Sequence, residues 1–289
     1  MESAYLQMLF GGLTVGSIYA MLGVGLTLIH RTSGIINFAQ GELSVFAVLF
    51  AASVIGWTGW PLPVVILVAI LFACGLGLVF ERTVVNPIRF LQPWSVSLVT
   101  LAAAIALQGV IMLLWGKSAI PFPTLSKESV INVAGATIQV QSLWIIGLTA
   151  VLVVLLHLFL ERTNAGRAMT AVAESPSTAS LMGIDPRIIV AFSFIIGASL
   201  AAVAGLLVAP ITNMSFDYGV RLTIKGMIAA VLGGFDNISG PIVGGLVLGI
   251  AEMLAAGLIS SLYKDVFAFA IIILLLYVRR GGILGAQQA

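Results

Sequence analysis

Charge is what this sequence has least of. Asp, Glu, Lys and Arg make up 8% of its 289 residues, against about 25% in an ordinary soluble domain. A soluble fold of this length could not cover its surface with so few, which excludes a cytosolic enzyme, a disordered chain and a nucleic-acid binder. Thirteen basic and 11 acidic residues leave a net charge of +2, with no basic patch to attract nucleic acid. Cysteine occurs once, at Cys74, so neither an intramolecular disulfide nor a thiolate metal cluster can form. No residue spacing suggests a metal site. No GxxxxGK[ST] phosphate loop is present, so the chain has no ATP-hydrolysing site of its own and no cofactor is expected in it. The start carries Glu2 and no Lys or Arg before an apolar run to Ile29, which reads as a retained first helix rather than a signal peptide.

Hydrophobic residues make up 60% of the chain, and the mean hydropathy is +1.16. A membrane-spanning helix needs about 20 mostly apolar residues. Such runs are Tyr5–Ile29, Ile35–Gly56, Leu62–Phe80, Trp94–Trp115, Ser142–Leu160, Ile188–Ile211 and Pro241–Ser260, with shorter ones at Leu222–Gly234 and Val266–Val278. The expectation is an all-α, polytopic transmembrane helical bundle of about eight to nine membrane segments, some broken or half-spanning. It forms one integral membrane domain over residues 1–289, with the lipid bilayer as its solvent.

If all nine runs cross, Arg31, Arg82, Arg89, Arg162, Arg167, Arg187, Arg279 and Arg280 fall on one side. Lys117, Lys127, Arg221, Lys225 and Lys264 fall on the other. Short basic loops stay inside, so the arginine side is expected to be cytoplasmic, with the N-terminus outside and the C-terminus inside. Loop 116–141 then lies outside and carries a β-prone stretch, Ala136–Val140; loop 161–187 is the largest cytoplasmic segment.

Glycine pairs at GxxxG spacing, Gly12–Gly16, Gly240–Gly244 and Gly245–Gly249, let helix backbones approach closely. Gly34 and Gly41 flank a polar break containing Asn37, Gln40 and Glu42, and Gly233–Gly240 makes a second break ahead of the helix holding Glu252. An acid within a span costs about 2.5–3.5 kcal/mol on insertion scales, and a broken backbone is tolerated only where it is buried in protein or lines a cavity. Asn37, Gln40, Glu42 and Glu252 are therefore candidates for the translocation path, with bracing of neighbouring helices as the other reading. His157 and Gln108 also fall within spans, and no acid–histidine pair at relay spacing is read on any one helix.

Loop 161–187 has helix formers over Gly166–Glu174. Ser175-Pro176 ends that helix and starts another, Gly183 closes the second, and Asp185-Pro186 opens the next span. A helix-turn-helix on the cytoplasmic face is a docking surface for a partner.

Together Gly23–Glu42 (GVGLTLIHRTSGIINFAQGE), the loop from Glu161 to Ile184, Lys225–Gly249 (KGMIAAVLGGFDNISGPIVGGLVLG) with Glu252, and Arg279–Gly285 (RRGGILG) resemble the permease subunits of branched-chain amino-acid ABC transporters, in order and end to end. The resemblance implies a bacterial inner-membrane permease for leucine, isoleucine, valine or other aliphatic amino acids, not an enzyme. ATP would be bound by separate ABC ATPase subunits. A periplasmic or lipid-anchored substrate-binding protein would deliver cargo, and a second related permease, or a second copy, would complete the path. Arg167, Ala173, Glu174, Ser175, Pro176, Leu181, Gly183 and Ile184 would couple to the ATPase. The alternative is an ion-coupled secondary carrier of small zwitterionic solutes using Glu42 or Glu252.

Overall fold

The computed structural model describes residues 2–126, 130–133, 135–235, 237–258, 260, 266, 269–270, 273–274, 277 and 281–284. Its elements run α1 (Glu2–Ser33), α2 (Gln40–Thr58), α3 (Leu62–Phe80), a π turn (Glu81–Val85) and a 3-10 turn (Asn86–Ile88), then α4 (Pro93–Trp115). There follow a hairpin of β1 (Val130–Val133) and β2 (Ala136–Gln139), and then α5 (Val140–Arg162), α6 (Asn164–Glu174), α7 (Pro176–Leu181), α8 (Pro186–Thr212), α9 (Tyr218–Gly233) and α10 (Gly240–Leu258). The β-prone stretch of loop 116–141 is β2, paired antiparallel in the register Val130↔Gln139.

Among the described residues seven helices are long and apolar enough to cross a bilayer, and they correspond to the seven long runs. Leu222–Gly234 falls within α9, whose 16 residues reach about 24 Å at 1.5 Å per residue, short of a hydrocarbon core of about 30 Å. It is shorter than the seven spans. Most of Val266–Val278 lies outside the described residues, so the structure gives the eight-to-nine count no further support.

The chain folds as two compact units. In the unit of residues 28–123 and 151–224, α2, α3 and α8 pack on one another through small residues. Ala47, Ala73 and Ala202 form one buried cluster. A Cβ on Gly77 would come within 2.6 Å of the Phe194 carbonyl. Phe80 stacks on Phe194 with ring centroids 6.2 Å apart. In the unit of residues 1–27, 124–150 and 225–289, Gly12 and Gly16 of α1 press on Gly245, Leu246, Gly249 and Ile250 of α10. The GxxxG pairs are thus a backbone-to-backbone seam.

Only 22%, 28% and 22% of the apolar spans in α3, α4 and α5 is buried, so these helices leave Leu67, Leu113 and Val154 exposed. One expectation is corrected. An acid–histidine pair does exist: α5 runs on to Arg162 and brings His157 Nε2 within 3.2 Å of Glu161 Oε1, one turn apart, both side chains 61% exposed. It sits at the aqueous end of the helix, where a relay across the span has nothing to connect to.

The α1–α10 seam leaves no room for a side chain: a Cβ on Gly245 would lie 2.5 Å from the Ala20 nitrogen. Gly245→Leu should cost about 1–3 kcal/mol or more by overpacking, while Gly75→Leu, at a site with open space around it, should cost far less. Thermal unfolding in detergent checks this; equal melting of the two variants would remove the seam from the stability argument.

Candidate functional site

Gly34 ends α1. At φ +73 it turns the chain where a side chain would be strained, and its N–H donates to the His30 carbonyl at 2.7 Å. The next five residues leave the helix, and their freed backbone groups are met by hydroxyls from far along the chain. Ile36 N–H donates to Ser97 Oγ at 2.9 Å, and Phe38 N–H to Thr100 Oγ1 at 3.1 Å. Gly41 N–H donates to Thr223 Oγ1 at 2.8 Å, and that hydroxyl has its proton for Phe38 O or Gly219 O. Asn37 Oδ1 accepts the Ala39 N–H at 3.1 Å, while its amide donates to Gln40 Oε1 at 3.3 Å. Gln40 Nε2 donates to the Gly197 carbonyl of α8 at 2.7 Å. Asn37 and Gln40 are wholly buried, and these bonds tie the break together and to α8.

Glu42 is different. It is 1% exposed, and neither carboxylate oxygen makes a hydrogen bond. Gly41 and Gly219 let the two helix ends meet, and a Cβ on Gly219 would fall 2.5 Å from the Glu42 carboxyl carbon. The carboxylate thus lies against the first turn of α9, where the helix end carries partial positive charge. Just outside, Asp217 accepts from Ser215 Oγ at 2.5 Å and Arg221 at 3.1 Å. The Ser215 hydroxyl, more than the Arg221 guanidinium, holds the Asp217 carboxyl below the usual range.

Glu252 belongs to the other unit, apart from the Asn37–Gln40–Glu42 group. Its Oε2 accepts from Tyr19 OH at 2.9 Å, and its Oε1 pairs with Lys225 of α9, whose ammonium stands 6.0 Å from the Tyr19 ring centroid. Lys225 was counted from sequence as an outer-side loop charge; it is instead a buried partner within α9. The basic balance therefore tips further towards the arginine face. After Gly233 the Leu232 and Gly233 carbonyls accept the Ile283 and Leu284 N–H groups at 2.8 and 3.1 Å, so the second break is capped by the tail.

Segment 161–187 follows its local chemistry. Thr163 Oγ1 caps α6 by accepting the Gly166 N–H at 3.0 Å. Ser175 caps α7, Pro176 takes its first position, and Gly183 at φ +83 turns the chain. Asp185 Oδ1 then caps α8 by accepting Arg187 N–H at 2.9 Å. Arg167, Glu174 and Pro176 are exposed, and Ala173, Ser175 and Ile184 half-buried. Leu181 is 87% exposed and Met182 80%, an apolar tip that water alone does not explain. Among the described residues no group of His, Cys, Asp or Glu could hold a metal.

Sequence reasoning missed Ser97, Thr100, Thr223 and Lys225. Their signal was a polar side chain inside an apolar run, which says that a partner exists but not which one.

Residues 8–276 match the family described as "Branched-chain amino acid transport system / permease component". The chain is 36% identical to the Escherichia coli K12 high-affinity branched-chain amino acid transport system permease protein LivH, covering 98% of this chain and 96% of that one. It is 35% identical to the Pseudomonas aeruginosa permease protein BraD, over 98% and 97%. Among solved structures, PsaBC from Streptococcus pneumoniae in complex with Fab superposes with a TM-score of 0.54 at 11% identity over 96% of both chains, a likeness of fold alone.

The Lys225–Glu252 pair has a sharp energetic signature. Lys225→Met alone strands a buried carboxylate and should cost about 3–5 kcal/mol, whereas Lys225→Met with Glu252→Leu should recover most of it. Unfolding of the single and double variants in detergent measures the coupling; additive losses would mean the pair is not coupled.

Proposed function

The chain belongs to the branched-chain amino acid transport system permease family, and on that premise we propose that it forms the translocation path of an ATP-driven importer for leucine, isoleucine, valine or a related aliphatic amino acid. The observation that carries this is the near full-length identity to permease proteins of high-affinity branched-chain amino acid transport. The ion-coupled carrier is not favoured by these relatives.

In the proposed assembly ATPase subunits bind and hydrolyse ATP, a binding protein delivers cargo from outside, and a second related permease or a second copy completes the path. The arginine-rich face is cytoplasmic, as is the C-terminus. An ATPase docks on the α6–α7 pair, where Leu181 and Met182 supply apolar contact and Arg167 and Glu174 supply charge. Closure of the ATPases pushes this tip, and rigid helix motion switches access to the path. The break at 34–39 and the Glu42 carboxylate lie along that path, where Glu42 meets the ammonium end of a zwitterion while the apolar surroundings accept its side chain.

Reconstitution with candidate ATPase and binding-protein subunits tests this. Leucine uptake should require ATP and the binding protein and should survive collapse of proton and sodium gradients; gradient dependence without ATP would overturn the reading. Deleting Ser175–Met182 should leave insertion intact but reduce uptake at least roughly tenfold while ATP hydrolysis persists. Glu42→Gln should lower uptake more than it lowers the melting temperature, and equal loss of both would favour a bracing role for Glu42.

A further inference from the structure

At the arginine-rich end of the unit of residues 28–123 and 151–224 lies a cavity of about 200 Å³, walled by the end of α1, the π turn, and the starts of α4 and α8. Its polar wall is Glu81, with Thr32, Ser33 and Asn86 beside it. Glu81 is 3% exposed and opens the π turn, in which Asn86 N–H returns to the Glu81 carbonyl. Such turns are frequent at functional sites. Glu81 Oε2 is buried with no hydrogen-bond partner. Arg82 Nε, at 3.6 Å, is too far to make one, and its side chain is 60% exposed.

Arg89 and Arg187 also line the cavity, and both are exposed at its rim. Arg82 first, and Arg89 after it, act on Glu81 by charge. Between the carboxylate and the guanidinium groups the walls are aliphatic: Ile35, Val85, Val96 and Val190.

A buried carboxylate oxygen with no partner calls for a donor or a cation. A free anion is refused by Glu81 itself. A metal ion would need more ligands than one carboxylate, and among the described residues no group of three His, Cys, Asp or Glu exists. Water beside Thr32, Ser33 and Asn86 would satisfy Oε2 but would leave the apolar walls and the two arginines without a role. The whole set fits a molecule with an ammonium at one end, a carboxylate at the other and an aliphatic chain between the walls. The cavity is far larger than the roughly 10–15 Å³ that one water needs and has room for a small organic molecule.

We propose that this cavity is a cytoplasm-facing binding site for a free zwitterionic aliphatic amino acid, its ammonium on Glu81 and its carboxylate on Arg89 and Arg187. The proposal deepens the importer reading and rests on it for sidedness and ligand class. A phosphatidylethanolamine headgroup offers the same pair of charges, but it has no aliphatic side chain on the ammonium-bearing carbon to meet Val85, Val96 and Val190. The rim residue Arg187 lies in the first turn of α8, directly after the coupling segment. An occupied site therefore ties that turn to the π turn, and imported cargo that accumulates inside slows further import.

The test is equilibrium binding of radiolabelled L-leucine to the purified permease–ATPase complex without its binding protein, in nanodiscs with and without phosphatidylethanolamine. Saturable leucine binding is expected that is unchanged by the lipid. Leucinamide and 4-methylvalerate, each lacking one charged end, should compete at least tenfold more weakly than leucine. Glu81→Gln and the exposed-site variant Arg187→Gln should each weaken binding at least tenfold. In liposomes, leucine trapped on the cytoplasmic side should slow uptake by the unmodified complex and not by Glu81→Gln. Absence of binding, binding by both variants as tight as that of the unmodified complex, or displacement of leucine by phosphatidylethanolamine would overturn the site. Loss of ATP-driven uptake with leucine binding retained would overturn the importer reading and leave the site standing.

Discussion

Inside a bilayer a peptide group has no water to fall back on, and an unpaired N–H or C=O there costs several kcal/mol. This constraint governs everything polar in the fold. An unbroken helix meets it without help, and seven helices do so across the described residues. The two breaks cannot. At residues 34–39 the missing partners come from Ser97, Thr100 and Thr223, whose hydroxyls stand where the next helical turn would have been. At the end of α9 the tail supplies them through Ile283 and Leu284. Each break is therefore tied to a distant stretch of sequence, and moving either tie exposes a backbone group.

The buried acids answer a stricter version of the same constraint in three ways. Glu252 is neutralised by Lys225 and Tyr19, an arrangement that is costly to break but chemically closed. Glu42 has the first turn of α9 against it, with the Val220 backbone facing it and no full hydrogen bond to either oxygen. Glu81 has a charge near it, but its Oε2 lacks a hydrogen bond. Closed pairs hold structure together. Carboxylates left short of partners keep an affinity for something that arrives, and so the two incomplete acids, not the paired one, carry the functional proposals.

The sequence made legible whatever depends on local chemistry. Apolar runs located the spans, and Ser175-Pro176, Gly183 and Asp185-Pro186 marked out α6, α7 and the start of α8 almost to the residue. Gly34 and Gly233 marked the breaks. Pairing across the chain was not legible. Nothing near Gly41 announces Thr223, 182 positions away, and nothing near Glu252 announces Lys225. Gln40 looked like a residue of the path because an amide in a span is costly, but cost only says that a partner exists. The partner is the Gly197 carbonyl, so Gln40 ties the break to α8. Glu81 escaped notice because it stands beside Arg82 and reads as a surface ion pair, whereas the π turn sinks the acid and leaves the arginine in solvent.

These ties also give the proposed coupling a physical route. The α7 tip is small and capped by Ser175 at its start, Gly183 at its end and the Ile184 N–H on the Ala179 carbonyl. Its Ala179 is buried, and α7 packs on both α6 and α8, so a push on the tip passes to α8 through close packing. The push arrives at Asp185 and the first turn of α8. From there an α-helix is stiff along its axis, and α8 carries the Gly197 carbonyl that holds Gln40. Gln40 in turn holds Asn37, and Asn37 sets the turn of the break. An axial shift of α8 thus reaches the first break through a single hydrogen bond, next to the carboxylate of Glu42. The Ala47–Ala73–Ala202 cluster and Gly77 against Phe194 favour this kind of motion, since small side chains form shallow ridges over which packed helices can slide.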